Sequence, residues 1–347
     1  MKVNVLITGV GGNLGQFIFK ALQHSNYEYK VVGCDYSCNA LGLFQTDIGY
    51  VVPPANSANY IEKIMEICLN EEIHIIMAGG MVELRLLSKN RELIKEKTNA
   101  FVVSSDIDKL RIMEDKWNLV QFLEESGFDY PHSILSSQTD QIKNFVSTYN
   151  FPLVVKDRLG SGSKGLGIAK NNEELDLLIK NIPNAVIQEY LYPDDEEYTV
   201  GVFVGSNGKA SGSIVMKRDL DLGMTFKAEV FPESIIGEYC ENVLEKIGCI
   251  GPANVQLRLT KRGPVIFEIN PRFSSTTSAR PLFGYNDVAM SINDFVFKNT
   301  NVRPNIKKGR LFRYIDDVFV SMEDYNTVET NKKIINEGMA VFNVEKI

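Results

Sequence analysis

The chain has 347 residues, a length that suits two or three domains of roughly 150 residues each. Hydrophobic residues make up 44% and charged residues 23%, a globular balance that excludes disorder, collagen-like repeats and low-complexity sequence. The net charge of −7 argues against non-specific nucleic-acid binding, which needs a basic surface, and no apolar run approaches the roughly 18 residues of a membrane span. Met1 and Lys2 lead into the strand-like VNVLITG, so no secretory or transit segment is expected. The five cysteines, Cys34, Cys38, Cys68, Cys240 and Cys249, are odd in number and scattered, and neither His24 nor His74 stands at ligand spacing from the Cys34/Cys38 pair. Reduced thiols in a cytoplasmic protein are the expectation.

Short apolar runs at 3–7, 30–34, 75–78 and 101–104 read as strands, and helical patterns lie between them near 14–23, 60–69 and 84–95. This alternation predicts an α/β fold with a parallel sheet covered on both faces. The first strand runs into Thr8-Gly9-Val10-Gly11-Gly12-Asn13-Leu14-Gly15, and Asp35 ends the second. Glycines for backbone approach, amides at a helix start and a carboxylate for a ribose are what a dinucleotide site wants. A dehydrogenase of the short-chain type also needs Tyr-x-x-x-Lys, and no tyrosine here has a lysine four residues on. The other reading is a tight strand-to-helix turn in a Rossmann-like domain with another ligand or none.

Residues 115–127 (DKWNLVQFLEESG) predict one amphipathic helix stopped by Gly127. Residues 151–170 (FPLVVKDRLGSGSKGLGIAK) predict a strand, a glycine-rich turn and a second strand from Gly167. Gly160, Ser161, Gly162, Ser163, Lys164 and Gly165 form a loop whose amides could close over phosphates, with Lys156 four residues before it. A Walker loop fails because the order is Ser163-Lys164-Gly165, and a kinase loop fails because its lysine should follow the glycines. Arg218-Asp219 with Asp221-Leu222-Gly223 resembles kinase elements only by chance, since the two lie too close together. A plain surface hairpin remains the alternative.

The stretch 253–278 (ANVQLRLTKRGPVIFEINPRFSSTTS) predicts two strands joined at Lys261-Arg262-Gly263. Strand alternation puts Gln256 and Arg258 on one face of the first, and Glu268 and Asn270 on one face of the second. Asn254, Gln256, Glu268 and Asn270 can then converge. Oxygen donors without sulfur or imidazole suit Mg²⁺ (or Mn²⁺) bridging nucleotide phosphates. Arg272 follows, where a cation could hold a transferring phosphate or a carboxylate.

These motifs, in this order, resemble the ATP-grasp superfamily and its carbamoyl-phosphate-synthase-like branch over about residues 3–300. They are Asp115-Lys116 opening a helix, Lys156 with GSGSKGLG, Gln188-Glu189-Tyr190-Leu191, Glu197 in EEYTVGVF, Asn254-Val255-Gln256 and Glu268-Ile269-Asn270-Pro271-Arg272. DIGYVVPP (47–54) and AGGMVEL (78–84) look like that family's preceding domain, which favours the turn reading of Thr8–Gly15. The resemblance implies a Rossmann-like domain over 1–114, an ATP-grasp domain with a central mixed sheet over 115–310, a lid at about 129–190 within it, and a small C-terminal subdomain over 311–347. It implies that Lys116 and Lys156 contact the nucleotide phosphates, that Gly160 to Gly165 close over them, and that Gln188, Glu189, Tyr190 and Leu191 form the adenine hinge. Glu197 would take the ribose, Gln256, Glu268 and Asn270 the metal, and Arg272 would neutralise an acyl phosphate.

A full carbamoyl-phosphate synthase carries two such units, and this chain has length for one. The expected activity is an ADP-forming ligase using ATP and Mg²⁺ to join a small-molecule carboxylate to an amine, with Lys156 and Arg272 as its catalytic cations. A kinase-like or carboxyphosphate-forming ATP-grasp enzyme is the alternative, and a ligand sensor on the same domains a third. No nucleic-acid or membrane partner is expected, and a homodimer is one expected assembly.

Overall fold

The computed structural model describes residues 2–160, 165–221, 224–232, 234–300, 303–314 and 318–336. The chain begins with five parallel strands: β1 (Val3–Thr8), β2 (Tyr29–Asp35), β3 (Ile48–Val51), β4 (Ile75–Ala78) and β5 (Phe101–Val102). They lie side by side in the order β3-β2-β1-β4-β5, the arrangement of a Rossmann-like half, with crossover helices on both faces. The helical pattern expected over 84–95 is two helices, Met81–Lys89 and Arg91–Thr98. Asn90 divides them: its side-chain amide donates to the Leu86 carbonyl at 2.8 Å, a local bond that competes with helix continuation.

A second, smaller sheet follows, made of β6 (Ser133–Leu135), β7 (Leu153–Asp157), β8 (Leu166–Ala169) and β9 (Ala185–Glu189) in the order β6-β9-β7-β8. Helices Thr139–Tyr149 and Asn172–Asn181 cover one side of it. The third sheet comprises β10 (Glu197–Val204), β11 (Ala210–Asp221), β12 (Met224–Phe231), β13 (Gly251–Thr260), β14 (Gly263–Asn270) and β15 (Gly309–Phe312), ordered β14-β13-β10-β11-β12-β15. All five of its pairings are antiparallel. The expected mixed character therefore belongs to the N-terminal sheet, where β16 (Lys333–Ile335) pairs antiparallel with β3 at the edge of otherwise parallel strands. The segment after residue 310 thus reaches both large sheets, giving β15 to one and β16 to the other.

Alternation along the strands splits the interior in two. On one side of the N-terminal sheet Leu6, Val32 and Ile76 pack in the same cluster as Val200, Val202 and Val255 of the central sheet. On the other side Val5, Ile7, Val31 and Met77 share a cluster with Phe203, Ile214 and Val230. Both cores run unbroken from one sheet to the other. The four-stranded sheet instead has a separate core, built from residues such as Phe145, Leu153, Val155, Leu175 and Ile187.

Candidate active site

A cavity of about 480 Å³ lies where the small sheet, the central sheet and the first helix, Asn13–Leu22, face one another. Every described candidate residue from the sequence lines it: Lys116, Lys156, Gly160, Gly165, Gln188, Glu189, Tyr190, Leu191, Glu197, Gln256, Glu268, Asn270 and Arg272. Ser161, Gly162, Ser163 and Lys164 lie outside the described residues.

The phosphate-side cations are set by a helix start. Asp115 caps helix Lys116–Glu125 by accepting from the Trp117 and Asn118 amides at 3.0 and 3.3 Å. The same carboxylate accepts from Arg158 Nε at 2.7 Å, which ties the helix to the end of β7. Lys116 is thereby buried at the cavity, where its Nζ donates to the Gly160 carbonyl at 2.6 Å and holds the near end of the glycine loop. Lys156, on β7, is only 7% exposed, and its Nζ donates to the Phe267 carbonyl at 3.2 Å. Burial, aided by Lys116 and opposed by Glu268 and Glu197, pushes the Lys156 ammonium down to about 7. An ammonium held so low lacks enough local negative charge, which is the condition a phosphate would satisfy.

Cross-strand register places the acidic and amide groups. Glu197 on β10 stands opposite Arg258 on β13, and one residue from the Tyr198–Lys217 pair, so Arg218 of β11 flanks its other side. Arg218 donates to Glu197 Oε1 at 2.7 Å and Arg258 to Glu197 Oε2 at 2.9 Å. The alternative of a solvated acidic turn thus fits Asp194, which is largely exposed, but not Glu197. Arg258 also donates to the Leu191 carbonyl at 2.6 Å and lies over the Tyr190 ring at 5.6 Å, fixing the crossing segment after β9. Gln188 Nε2 donates to Ser133 Oγ at 2.8 Å, and Glu189 accepts from Arg262 at 2.6 Å.

Gln256 opposes Glu268, and Asn254 opposes Asn270, across β13 and β14. Glu268 Oε1 accepts from Asn270 Nδ2 at 2.7 Å and from Gln256 Nε2 at 3.4 Å, while Gln256 Oε1 accepts from Arg218 at 2.9 Å. The glutamate is held by amides rather than by a cation, so its charge is available to a metal ion. No group of three His, Cys, Asp or Glu that could hold a metal occurs among the described residues. One carboxylate and two amides make an incomplete shell, which suits Mg²⁺ completed by phosphate oxygens rather than an all-protein site. Arg272 is held by the Asn270 side chain at 3.0 Å and the Phe273 carbonyl at 2.8 Å, and its buried Nε has no partner. Burial lowers its guanidinium, with Glu268 acting against the shift.

Beneath this row runs Arg280, fully buried, which donates to Asn254 Oδ1 at 2.7 Å and Ser274 Oγ at 2.9 Å and pairs with Asp287. Its guanidinium packs closely against Gly201, where a Cβ would come within 2.4 Å of it. Sequence reasoning missed Arg280 and the role of Arg218. The only signal was a charge, on a strand for Arg218 and in the short 3-10 turn Arg280–Phe283 for Arg280, and the partners of each are set by segments brought together from elsewhere in the chain.

The Thr8–Gly15 loop contributes differently from a dinucleotide site. Asp35 accepts from the Gly11 and Ser37 amides at 2.8 and 3.0 Å, and Gly12 donates to the Gly9 carbonyl at 3.0 Å. A pyrophosphate would have to displace these bonds, and the Asp35 carboxylate is committed to the loop. The turn's effect is to set Asn13, Leu14 and Phe17 against the cavity.

Comparisons agree with this architecture. Residues 113–276 match the ATP-grasp domain model, and residues 5–102 match the PylC-like N-terminal domain model. The chain is 24% identical over 264 residues to the carbamoyl phosphate synthase large chain of Caldanaerobacter subterraneus subsp. tengcongensis, covering 70% of this chain and 24% of that one. With the Archaeoglobus fulgidus large chain the identity is 22% over 309 residues, covering 79% and 27%. The chain thus spans about a quarter of the length of these curated relatives. Among solved structures, N5-carboxyaminoimidazole synthetase from Staphylococcus aureus, complexed with ADP, superposes with a TM-score of 0.68 at 18% identity, covering 85% of this chain and 78% of that one. The biotin carboxylase domain of Hydrogenobacter thermophilus 2-oxoglutarate carboxylase, complexed with MgADP, ADP and bicarbonate, gives 0.66 at 15% identity, covering 88% and 73%. With its fused sheets, its separate small sheet and the cavity between them, the chain carries an ATP-grasp domain over residues 113–276 behind a PylC-like N-terminal domain over residues 5–102.

Proposed function

We propose that this chain is an ATP- and Mg²⁺-dependent, ADP-forming ligase of the cytoplasm that activates a carboxylate as an acyl phosphate for attack by an amine. The observation that carries the reading is the convergence of Lys116, Lys156 and Arg272 with the amide-held Glu268 on one cavity. In this reading residues 1–114 form the N-terminal domain and 115–310 the ATP-grasp unit, with about 129–190 as its lid. The base lies between the apolar face of Val154 and Ile168 and the Phe267 ring, at the edge formed by Gln188 to Leu191. Glu197 takes the ribose hydroxyls, for which Arg218 and Arg258 hold its carboxylate in place.

Carboxylates are poor electrophiles, because oxide would have to leave. Transfer of the γ-phosphoryl group to a carboxylate oxygen breaks the bond to ADP and supplies phosphate as a leaving group. The amine then attacks the acyl carbon, phosphate departs, and the amine loses a proton. A metal ion held by Glu268, Asn270 and Gln256 would neutralise charge between the phosphates when bound. Lys156 and Arg272 offset the negative charge gathering between two anions, and closure of the small sheet keeps water from the acyl phosphate. No Ser, Cys or His nucleophile is needed.

The decisive experiment offers the protein Mg·ATP, a panel of carboxylates and hydroxylamine in place of the amine. ADP, phosphate and a hydroxamate are the expected products. AMP with pyrophosphate would exclude the mechanism, and a stable phosphorylated alcohol would favour the kinase alternative.

A further inference from the structure

One end of the cavity is walled by residues that no nucleotide role uses. The first turn of the helix Asn13–Leu22 brings Leu14 and Phe17 to the lining, and the loop after β14 brings Ser274 and Ser275 beside Arg272. Behind this wall stands Arg313, which follows β15 directly. Its guanidinium lies over the Phe17 ring at 4.6 Å, and it donates to the Ser275 carbonyl. Its backbone amide is fixed by the Phe226 carbonyl at 2.9 Å. Phe17 is thus clamped between two domains by a planar cation, which restricts where the ring can go.

We infer that this end is the pocket for the carboxylate to be activated, and that it takes a carboxylate carrying an apolar side chain, with Phe17 as the specificity residue and Arg313 as its positioning residue. The inference rests on the ligase reading above and names the substrate class of that site. Two observations decide the chemistry. Arg272 presents a buried Nε without a partner, which suits the anionic head. Beyond it the wall sets Leu14 and Phe17 beside the neutral Asn13, Ser274 and Ser275, with no second carboxylate or further cation among the described lining residues at this end, which suits an aliphatic or aromatic substituent and disfavours a dicarboxylate. Bicarbonate, with no substituent, would leave the Phe17 wall without a partner.

The test measures binding and turnover separately. Calorimetry in the presence of Mg·ADP reads the affinity for acetate, bicarbonate, succinate, gluconate, and amino and 2-hydroxy acids with leucine- or phenylalanine-like side chains. The apolar-substituted acids are expected to bind tightest, and Phe17→Ala to weaken them by about tenfold or more while changing acetate little. In phosphate-release assays the same variant should raise KM for those acids with kcat nearly unchanged. Arg313→Gln should reproduce a smaller rise in KM, partly restored by Arg313→Lys, and melting curves check that both variants fold. Tightest binding of bicarbonate, succinate or gluconate, absence of carboxylate binding altogether, or an equal loss for all acids in Phe17→Ala would overturn the inference. Tight binding of apolar acids without ATP-dependent phosphate release would leave the inference standing and sink the ligase reading instead.

Discussion

The two sides of the cavity are built by opposite means. The floor, from β10, β11, β13 and β14, is electrostatic: Glu197, Arg218, Arg258, Gln256, Glu268 and Asn270 hold one another across strands whose reverse faces lie in cores shared with the N-terminal domain. The ceiling, from β7 and β8, is largely apolar. Leu166 and Ile168 line the cavity yet remain 49% and 45% exposed, and the sheet behind them has only its own small core. The floor is therefore largely preorganised, most of its polar groups being paired with one another while the buried Nε atoms of Arg258 and Arg272 have no partner. The ceiling has apolar surface left for a ligand to cover, and a core separate from those of the two large sheets. Lys156 and Lys116 are where the two meet.

The sharpest way to break this contrast is to attack the floor where a charge is held by amides alone. Glu268→Gln keeps the shape and most of the hydrogen bonding but removes the negative charge. ATP turnover is expected to fall by about two to three orders of magnitude with a nearly unchanged melting temperature, as read by ADP release and thermal unfolding. Undiminished turnover would remove Glu268 from any metal role. A smaller effect is expected in the ceiling. Ile168→Ser should weaken ATP binding by about tenfold in calorimetry, because apolar surface that the nucleotide covers is lost. The free protein should not lose stability, since the side chain is half exposed. A marked fall in the melting temperature of the nucleotide-free variant would mean that the ceiling is packed already. Hydrogen exchange over 166–169 should slow on adding Mg·ATP far more than exchange over β13.

The smallest effect is a proton. Lys156 sits near 7 when folded and near the usual 10.4 when unfolded, so between these values the unfolded chain binds more protons. Its contribution therefore makes stability rise with pH across that window, with the full burial penalty present below about 7. Phosphate beside the ammonium should restore its proton. Nucleotide binding near pH 8 is then expected to take up close to one proton, read by calorimetry in buffers of different ionisation enthalpy, and Lys156→Met should abolish the uptake. Equal heats in all buffers would place Lys156 away from the phosphates.

Sequence alone determined the local parts, because their causes are local. Alternating β-branched runs set most strands of the N-terminal sheet, Asp115 before an amphipathic run set a helix start, and period-two spacing put Gln256 with Arg258, and Glu268 with Asn270, on shared faces. The ordered motifs carried the superfamily and the residues that line the cavity. β3 was not read as a strand, its segment entering only through the family likeness of DIGYVVPP, since its run is short and interrupted by Gly49.

Tertiary structure decided the rest. Two glycine-rich segments look alike as possible phosphate loops, yet the carboxylate of Asp35 folds back onto the amides of Gly11 and Ser37, a contact fixed by the pairing of β1 with β2. Arg218 and Arg280 acquired their roles only when strands and a loop far apart in sequence were brought together. The same holds for Arg313 over Phe17, nearly the whole chain away, because β15 pairs with β12 at the edge of the central sheet. Periodicity reports which face a side chain takes, but a charge's partner depends on which strand lies alongside, and that is settled by the packing of the whole chain.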